Sequence, residues 1–311
     1  MKSLPNEAST RSSALLILCF NRPKLAHKRV SDLKEVKCHK VVSIDGPKSP
    51  ERFEQFRLIQ EEFANDFEFL WMNKNEGTAN HIWIRISQLL KEFDNVIVIE
   101  DDISVDSDTV DTLLELLKSR LPSHIMTIGL FGFLPGNNFI SKKFNCWRES
   151  KFFSPWGWAI QKEEWEDLSL EIKEHYLRLE SSKTFASLSS RGRNLWSSRF
   201  NKVINNPEFT WDYQINFWGF AQNKKHLLPA FRLADNVGFE SLQATRTKAK
   251  KPNWYLGKKG TVNSSIQKFK VLKQRYNILL SSLDSSFWAE SNAFLSNVAK
   301  LKRVYRKLMR Y

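Results

Sequence analysis

The chain has 311 residues but only three cysteines, and these form no recognisable pattern. Cys19, Cys38 and Cys146 are widely spaced and include no CxxC pair. A disulfide framework needs an even set of cysteines, and a cysteine zinc site needs closely spaced ones. The sequence therefore argues against both and favours a reducing, cytoplasmic environment.

Long hydrophobic runs are equally scarce. Residues 1–13 are polar and lead into the short apolar segment 14–20, which is too brief for a signal-peptide core followed by a cleavage site. No segment approaches the roughly 20 apolar residues that a membrane-spanning helix needs. Internal repeats and low-complexity tracts are also missing. We therefore expect a globular protein whose contact with a membrane is at most peripheral.

Acidic residues are nearly absent from the last part of the chain. Residues 241–311 contain 16 Lys and Arg but only Asp284 and Glu290, so they carry the whole formal net charge of +14. Residues 1–240 are balanced, with 32 basic and 32 acidic side chains. A shift of this kind indicates a boundary between segments, which we expect near Glu240.

Short apolar runs alternate with amphipathic segments over the first 120 or so residues, as in α/β proteins with a mostly parallel sheet. Strands are predicted at 14–20, 40–45, 67–71 and 95–99. Polar residues follow three of these strands, where ligands of such sheets bind. They are Asn21-Arg22, Asp45-Gly46 and Glu100-Asp101-Asp102. From Thr127 onward, aromatic segments interrupted by Gly and Pro predict a pocket rather than a regular sheet.

Three consecutive carboxylates follow the apolar run NVIVI. Like charges this close raise one another's pKa unless a cation neutralises them. Mg²⁺ and Mn²⁺ prefer oxygen ligands and often share them with substrate phosphates. An exposed acidic loop at a helix N-terminus is the alternative, because Asp106 and Asp108 continue the acidity and a helix is predicted to follow.

Seven segments together resemble the GT-A glycosyltransferases, and most closely the catalytic domain of the N-acetylglucosaminyltransferase I family. In chain order they are LILCFNRP (16–23), VVSIDG (41–46), ANH (79–81), VIVIEDDISV (96–105), SPWGWAIQKEEW (154–165), TWDYQ (210–214) and RLADNVGFE (232–240). The acidic triplet alone is a weak signal, whereas the ordered set is fairly specific.

The resemblance implies that Arg22, Asp45 and His81 line the uridine and ribose part of a donor site. A strand-end Asp can accept from a uracil N–H or a ribose hydroxyl, and Arg22 offers a planar fork of donors. The residues alone leave other roles open. Arg22 could form a surface ion pair, and His81 could cap a helix or be a satisfied, partly buried histidine.

The resemblance also assigns the acidic cluster. Asp102 is expected to bind Mn²⁺ or Mg²⁺ directly, while Asp101 and Glu100 reach ribose and sugar hydroxyls.

The segment Ser154-Pro-Trp-Gly-Trp158 resembles the loop that covers the transferred sugar in that family. Gly157 would let the backbone approach the ligand, and an indole, Trp158 or Trp156, would supply an apolar face for the sugar. The alternative is a tight turn with two core tryptophans.

Trp211-Asp212 resembles the segment that supplies the catalytic base. The family pattern has two acids after the Trp, of which the second is the base, but here Tyr213 follows Asp212. Asp212 is the predicted base and Glu208 the reserve, with a structural N-cap as the alternative role of Asp212.

These assignments predict a GT-A (Rossmann-like) α/β fold over 14–240, with a nucleotide-binding half at 14–125 and a sugar and acceptor half at 126–240. A basic helical extension is predicted at 241–311. The implied reaction is metal-dependent, inverting transfer of a sugar from a nucleotide donor, UDP by resemblance, to a hydroxyl of a glycan or lipid-linked glycan, as in polysaccharide biosynthesis. A retaining transferase on the same fold is one alternative.

The basic extension leaves two further roles open. Leu301, Val304, Tyr305 and Leu308 form an apolar stripe within a basic helix, and such helices bind anionic membranes with about 1 kcal/mol for each Lys or Arg near the surface. We therefore expect a peripheral position at the inner face of the cell membrane, with packing on the catalytic domain as the alternative. Nucleic-acid binding by this segment is a rival function that we do not expect, because it gives the acidic and aromatic motifs no purpose.

Overall fold

The computed structural model describes residues 11–132 and 147–239, and within these ranges the fold centres on an eight-stranded mixed sheet. The strand order is β3-β2-β1-β4-β8-β6-β9-β7. The strands of this sheet are β1 (Ser13–Cys19), β2 (His39–Ile44), β3 (Glu68–Trp71), β4 (Asn95–Glu100), β6 (Ile125–Gly129), β7 (Trp147–Ser150), β8 (Trp158–Gln161) and β9 (Lys225–Pro229). Two short strands, β5 (Ile103–Ser104) and β10 (Asp235–Asn236), form a separate antiparallel pair.

The helices cover both faces of the sheet. They are α1 (Pro23–Leu33), α2 (Pro50–Phe63), α3 (Gly77–Leu89), α4 (Ser107–Leu117), α5 (Lys162–Trp165), α6 (Tyr176–Glu180), α7 (Lys183–Ala186), α8 (Ser190–Asn205) and α9 (Asp212–Ala221). Two 3-10 turns lie at Lys173–His175 and Pro207–Phe209.

Side chains of β1 alternate between two hydrophobic clusters, as the period of a strand requires. Leu15 and Ile17 pack with residues of α1, α2 and α4 on one face. Leu16 and Leu18 pack with residues of α3, α8 and α9 on the other face. Because both faces of β1 are covered, its sequence is apolar throughout, and the run Ala14 to Cys19 is buried without a break.

The order of strands β1 to β4 creates a crevice at one edge of the sheet. The chain starts at β1, moves outward through parallel β2 and β3, and then returns to place β4 on the other side of β1, again in parallel. The strand order therefore reverses between β1 and β4. Ligands of open α/β sheets bind at the carboxyl ends of strands beside such a reversal.

The predicted mixed, mostly parallel α/β fold is confirmed, because four of the seven strand pairings in the large sheet are parallel. The expectation that residues after Thr127 avoid regular sheet is wrong, since β6 to β9 complete half of it. Buried aromatic side chains fill the core there, with Trp158 on β8 and Trp196 and Phe217 on the helices packed against it. Strands β7 and β8 have only four residues each, which is too short to show a clear alternation of apolar and polar side chains.

The basic extension at 241–311 lies outside the described residues, as do the amphipathic stripe and its predicted membrane contact. Of the helices in the described ranges, none combines the length and the apolar character needed to cross a bilayer.

A buried pair of amide side chains, Asn95 and Gln161, joins β4 and β8 to the loop before β6 at the strand ends that lie away from the crevice. The Nε2 group of Gln161 donates to Asn95 Oδ1 at 3.0 Å, and its Oε1 accepts from the backbone of Leu121 at 2.8 Å. Asn95 in turn donates to the carbonyl of Leu117 at 3.2 Å. These bonds connect β8, β4 and the end of α4, and both amide side chains are buried.

We expect Gln161→Leu to lower the free energy of unfolding by about 2–4 kcal/mol, because each buried polar group that loses its partner costs ~1–3 kcal/mol. Urea unfolding measures the change. Gln55→Leu, an exposed substitution of the same kind on α2, should stay within about 0.5 kcal/mol of the wild type. Equal effects of the two substitutions would contradict a structural role for the amide pair.

Candidate functional site

A cavity of about 530 Å³ opens at the carboxyl ends of β1, β2 and β4, where the strand order reverses. The second half of the chain closes it from the other side. Its lining consists of Leu18, Cys19, Phe20, Asn21, Arg22, Asp45, Lys48, Asn75, Gly77, Thr78, His81, Glu100, Asp101, Asp102, Pro155, Trp156, Phe209, Thr210, Trp211, Asp212, Tyr213 and Asn236. Seven of the nine sequence-predicted site residues are in this lining, and Gly157 and Trp158 are not.

Arg22 and the acidic cluster meet because β1 and β4 are parallel neighbours. Leu18 pairs with Glu100 in the sheet, so the residues that follow each strand emerge side by side. Arg22 donates to Asp101 Oδ1 through Nη2 and to Asp102 Oδ2 through Nη1, the latter at 2.5 Å. Arg22 is therefore an internal partner of the acidic cluster rather than a surface ion-pair residue.

One guanidinium does not neutralise this cluster. Burial raises the pKa of Glu100, and the nearby charge of Asp102 raises it further against the lowering effect of Arg22. The pKa of Asp101 is raised as well, mainly by burial, although Arg22 opposes the shift. The charged forms of both carboxylates are therefore costly here, chiefly because they are buried, and Arg22 offsets only part of that cost.

Asp102 is held in place by the pair of short strands. Val237 donates its backbone N–H to the carbonyl of Asp102 at 2.8 Å, and β10 pairs with β5 directly after the acidic cluster. Gly238 packs against the carboxylate so closely that a Cβ there would lie 2.3 Å from Asp102 Oδ2. Asn236 lines the cavity and accepts from the N–H of Gly238 at 2.8 Å. Sequence reasoning did not assign Asn236 or Gly238 a site role, although both lie in the motif RLADNVGFE.

Asp45 lies at the end of β2 and is almost fully buried. Its Oδ1 accepts from the backbone N–H of Glu76 at 2.8 Å and of Gly46 at 2.9 Å. Burial raises the pKa of Asp45, and backbone donors, including that of Gly77, partly offset the rise. These bonds orient the carboxylate at the wall of the cavity and tie β2 to the N-terminus of α3.

His81 lies on α3 and is bonded to a serine of β2. Its Nε2 is 2.7 Å from the hydroxyl oxygen of Ser43. The same oxygen accepts a hydrogen bond from Arg85 Nε at 2.8 Å. Burial, reinforced by the Arg85 charge, lowers the pKa of His81 to about 3. His81 is therefore neutral at physiological pH. It is both a satisfied, buried histidine and part of the cavity wall.

Asp212 reaches the cavity from the far wall as the first residue of α9. Its carboxylate accepts from the hydroxyl of Thr210, and its carbonyl accepts from Asn216 Nδ2 at 2.9 Å. Asn216 Oδ1 also accepts from the N–H of Phe153 at 3.0 Å, which links this turn to the aromatic loop 154–158. The N-cap residue of α9 is Trp211, so the alternative of Asp212 as an N-cap is not what the structure shows.

Glu208, the reserve base, is exposed and absent from the cavity lining. It accepts from Asn80 Nδ2 at 3.1 Å instead. Of the two acids, geometry therefore favours Asp212.

The aromatic loop places one of its two tryptophans in the cavity. Trp156 lines it and contacts Phe131 edge-on, with ring centroids 4.5 Å apart. Trp158 is only 1% exposed and stacks on Trp211 in the core at 5.3 Å. Gly157 has φ of +77°, which explains the glycine, and it packs against Leu130. The structure therefore places neither Gly157 nor Trp158 in the cavity lining, where ligand contacts were predicted for both. Strand β8 begins at Trp158, and the indole of this residue is buried in the core.

The acidic cluster fits an open site for a divalent cation rather than a closed one. Asp101 Oδ2 is buried without a hydrogen-bond partner, and Asp102 uses Oδ2 for Arg22. Within the described residues no group of three or more His, Cys, Asp or Glu side chains is arranged to hold a metal by itself. Mg²⁺ commonly takes one or two carboxylates and completes its shell with water and substrate phosphates.

Comparisons with known proteins add likenesses of fold only. No protein-family model and no curated protein matches the chain. A mannosyltransferase from Pyrobaculum calidifontis in complex with GDP-Man and Mn²⁺ is similar at 12% identity and a TM-score of 0.39, covering 71% of this chain and 72% of that one. GalNAc-T7 with UDP, GalNAc and Mn²⁺ is similar at 10% identity and a TM-score of 0.42, covering 71% of this chain and 42% of that one. Residues 1–349 of TarS from S. aureus give 9% identity, a TM-score of 0.39, and coverage of 96% and 73%. At such values the likenesses do not indicate what this chain binds.

The close approach of Gly238 to Asp102 gives a test of the site's geometry. Gly238→Ala should lower the free energy of unfolding by about 1–3 kcal/mol, because the added methyl group overlaps the Asp102 carboxylate in a packed region. In an Asp102→Ala background the same substitution should cost about 1 kcal/mol less, since the clashing atoms are gone. A double-mutant cycle by chemical unfolding measures this coupling, and strictly additive effects would contradict the contact.

Proposed function

We propose that this chain is a metal-dependent glycosyltransferase of the GT-A type that transfers a sugar from a nucleotide donor, UDP by resemblance, to a hydroxyl of a glycan or lipid-linked glycan. The observation that carries the proposal is the charge of the cavity at the strand reversal. Five carboxylates and only two cationic side chains, Arg22 and Lys48, are in its lining. Such a cavity repels a diphosphate unless a divalent cation lies between them.

The nucleoside end of the donor is proposed to bind where β1, β2 and α3 meet. Asp45 and His81 supply an oriented acceptor and a neutral imidazole there. Phe20 and Lys48 add a ring and a cation at the same wall, with Lys48 Nζ 5.6 Å from the ring centroid. The resemblance of the segments LILCFNRP, VVSIDG and ANH supports uridine as the nucleoside.

The diphosphate end is proposed to lie at the acidic cluster. Asp102 would hold Mn²⁺ or Mg²⁺. The neighbouring residue Asp101 has a buried acceptor atom, Oδ2, without a hydrogen-bond partner. The cation would offset the charge that accumulates on the leaving diphosphate. Arg22 keeps the carboxylates in position through its two ion pairs. Glu100, which lines the cavity at the end of β4, would face the donor sugar.

The transfer step assigned to this chain's own residues is a single displacement. Asp212 takes the proton from the acceptor hydroxyl, and the acceptor oxygen forms a bond to the anomeric carbon. The bond from that carbon to the diphosphate oxygen breaks, and its electron pair leaves with the diphosphate. Because attack and departure occur on opposite sides, the configuration inverts. Thr210 and Asn216 position Asp212 for this role.

The acceptor is proposed to enter past Phe209, Tyr213 and Trp156, which are aromatic residues of the same lining as Asp212. Aromatic faces suit the apolar faces of sugars. A role of the basic extension in bringing a membrane-bound acceptor to this wall stays a prediction from the sequence.

Asp102→Asn should abolish the metal-dependent gain in stability that UDP confers, because it removes a ligand charge at the cavity. In thermal-shift assays with and without Mn²⁺, wild-type protein with ligand at 100 times its dissociation constant should gain about 2.7 kcal/mol. The exposed substitution Asp108→Asn is the matched control and should behave as the wild type. A folded Asp102→Asn variant with unchanged metal-stimulated binding and transfer would eliminate this residue as the ligand.

Asp212→Asn should slow transfer by about 10² to 10⁴ while leaving donor binding nearly unchanged, the usual effect of losing a general base. Single-turnover rates and UDP titrations separate the two quantities. Glu208→Gln is the control, with activity close to the wild type expected. If Glu208→Gln were crippling and Asp212→Asn mild, the base would be Glu208.

A further inference from the structure

Three polar side chains form a buried chain of hydrogen bonds behind the cavity wall. Arg85 Nε donates to the hydroxyl oxygen of Ser43 at 2.8 Å, and that hydroxyl lies 2.7 Å from His81 Nε2. Ser43 is fully buried near the end of β2, between Val42 and Ile44, and His81 is 4% exposed. Sequence reasoning gave Ser43 and Arg85 no role.

Arg85 is held so that only its Nε–H points at the serine. Its Nη1 donates to Gln88 Oε1 at 2.8 Å, and its Nη2 donates to the carbonyl of Trp71 at 2.9 Å. A guanidinium has no acceptor atom, so the direction of the Arg85–Ser43 bond is unambiguous. The serine oxygen is the acceptor in this bond.

The direction of the next bond follows from counting protons. The Ser43 hydroxyl has one proton to donate, and among the described residues the acceptor within reach of it is His81 Nε2. If His81 donated from Nε2 instead, the serine proton would be buried without an acceptor, which costs about 1–3 kcal/mol. The favoured arrangement therefore runs from Arg85 to Ser43 to His81, with Nε2 unprotonated. The lowered pKa of His81 agrees with a neutral ring.

We propose that Arg85 and Ser43 are positioning residues that hold His81 in the tautomer with its proton on Nδ1. A neutral imidazole has one N–H donor and one acceptor nitrogen. The hydrogen bond made by one ring nitrogen decides whether the proton lies on that nitrogen or on the other. With Nε2 occupied by Ser43, the Nδ1–H group is the donor that remains for a ligand in the cavity. The wall at His81 thus selects a hydrogen-bond acceptor, such as a carbonyl or hydroxyl oxygen, and disfavours an N–H donor at that place.

The chain contains a matched control for this arrangement. His226 is also fully buried, with a pKa lowered to about 3, and its Nδ1 lies 2.8 Å from the hydroxyl of Thr127. His226 lies outside the cavity lining and packs against Phe153 in the core. Removing the Thr127 hydroxyl disturbs a histidine–hydroxyl pair of the same kind without touching the cavity.

The tautomer can be read directly by ¹⁵N NMR of the full-length, metal-free protein labelled at histidine, because protonated and unprotonated ring nitrogens have well-separated shifts. Comparison with His81→Asn assigns the His81 signals. The expected result is a protonated Nδ1 and an unprotonated Nε2 in the wild type. In Ser43→Ala and Arg85→Met the two nitrogens should move toward averaged values, whereas Thr127→Val should leave His81 unchanged. A protonated Nε2 in the wild type, or a His81 spectrum unaffected by both substitutions, would overturn the proposal.

The consequence for binding rests on the proposed nucleotide-sugar function and has a separate readout. UDP titrations in the presence of Mg²⁺ should give about tenfold weaker binding for Ser43→Ala and unchanged binding for Thr127→Val. In turnover, Ser43→Ala should raise KM for the donor and leave kcat nearly unaltered, since the bond is made in ground and transition states alike. If the NMR result holds but UDP does not bind even the wild type, the proposed function fails and the tautomer assignment stands. If UDP binds the wild type and Ser43→Ala equally well, Ser43 has no positioning role for this ligand and that part of the proposal is wrong.

Discussion

The negative charge at the end of β4 is the constraint on which the arrangement of the cavity depends. Glu100, Asp101 and Asp102 follow a buried strand, where carboxylates are costly unless they are compensated. The parallel neighbour β1 supplies Arg22, whose two ion pairs are possible only because the two strands end side by side. Burial, and after it the charge of Asp102, raises the pKa values of Glu100 and Asp101 against the effect of Arg22, so a cation bound here would stabilise their charged forms.

The second half of the chain completes the site by enclosing that charge. Strand β8 enters the sheet antiparallel to β4, which brings the loop with Trp156 over the acidic cluster. Strand β10 pairs with β5 immediately after the cluster and seats Gly238 against Asp102. Asn216 then fastens the Asp212 turn to the backbone of Phe153. The Asp212 turn and the aromatic loop are thereby connected by the short Asn216 side chain, which bonds to the backbone of both.

The sequence was informative where a polar residue directly follows an apolar run, and much less so elsewhere. Arg22, Asp45 and the acidic cluster could be placed together because parallel strands end at a common edge. The choice between Trp156 and Trp158 could not be made, since it depends on the residue at which β8 begins. Ser43 lies in the buried half of β2, and the partner of its hydroxyl lies 38 residues away on α3. Contacts of this kind follow from tertiary packing, which no local pattern contains.

The two ends of the cavity differ in how firmly their protonation is set. At the β2 and α3 end, backbone donors orient Asp45, and burial together with the nearby Arg85 charge lowers the pKa of His81. At the β4 end, Glu100 and Asp101 share an excess of charge whose balance depends on what binds beside them. A rigid pattern of donors and acceptors suits recognition of a nucleoside, which is the same in substrate and product. A responsive cluster suits a diphosphate, whose charge increases as the bond to the sugar breaks. Under the proposed function, recognition of the nucleoside and the chemical step would therefore take place at different ends of a single cavity.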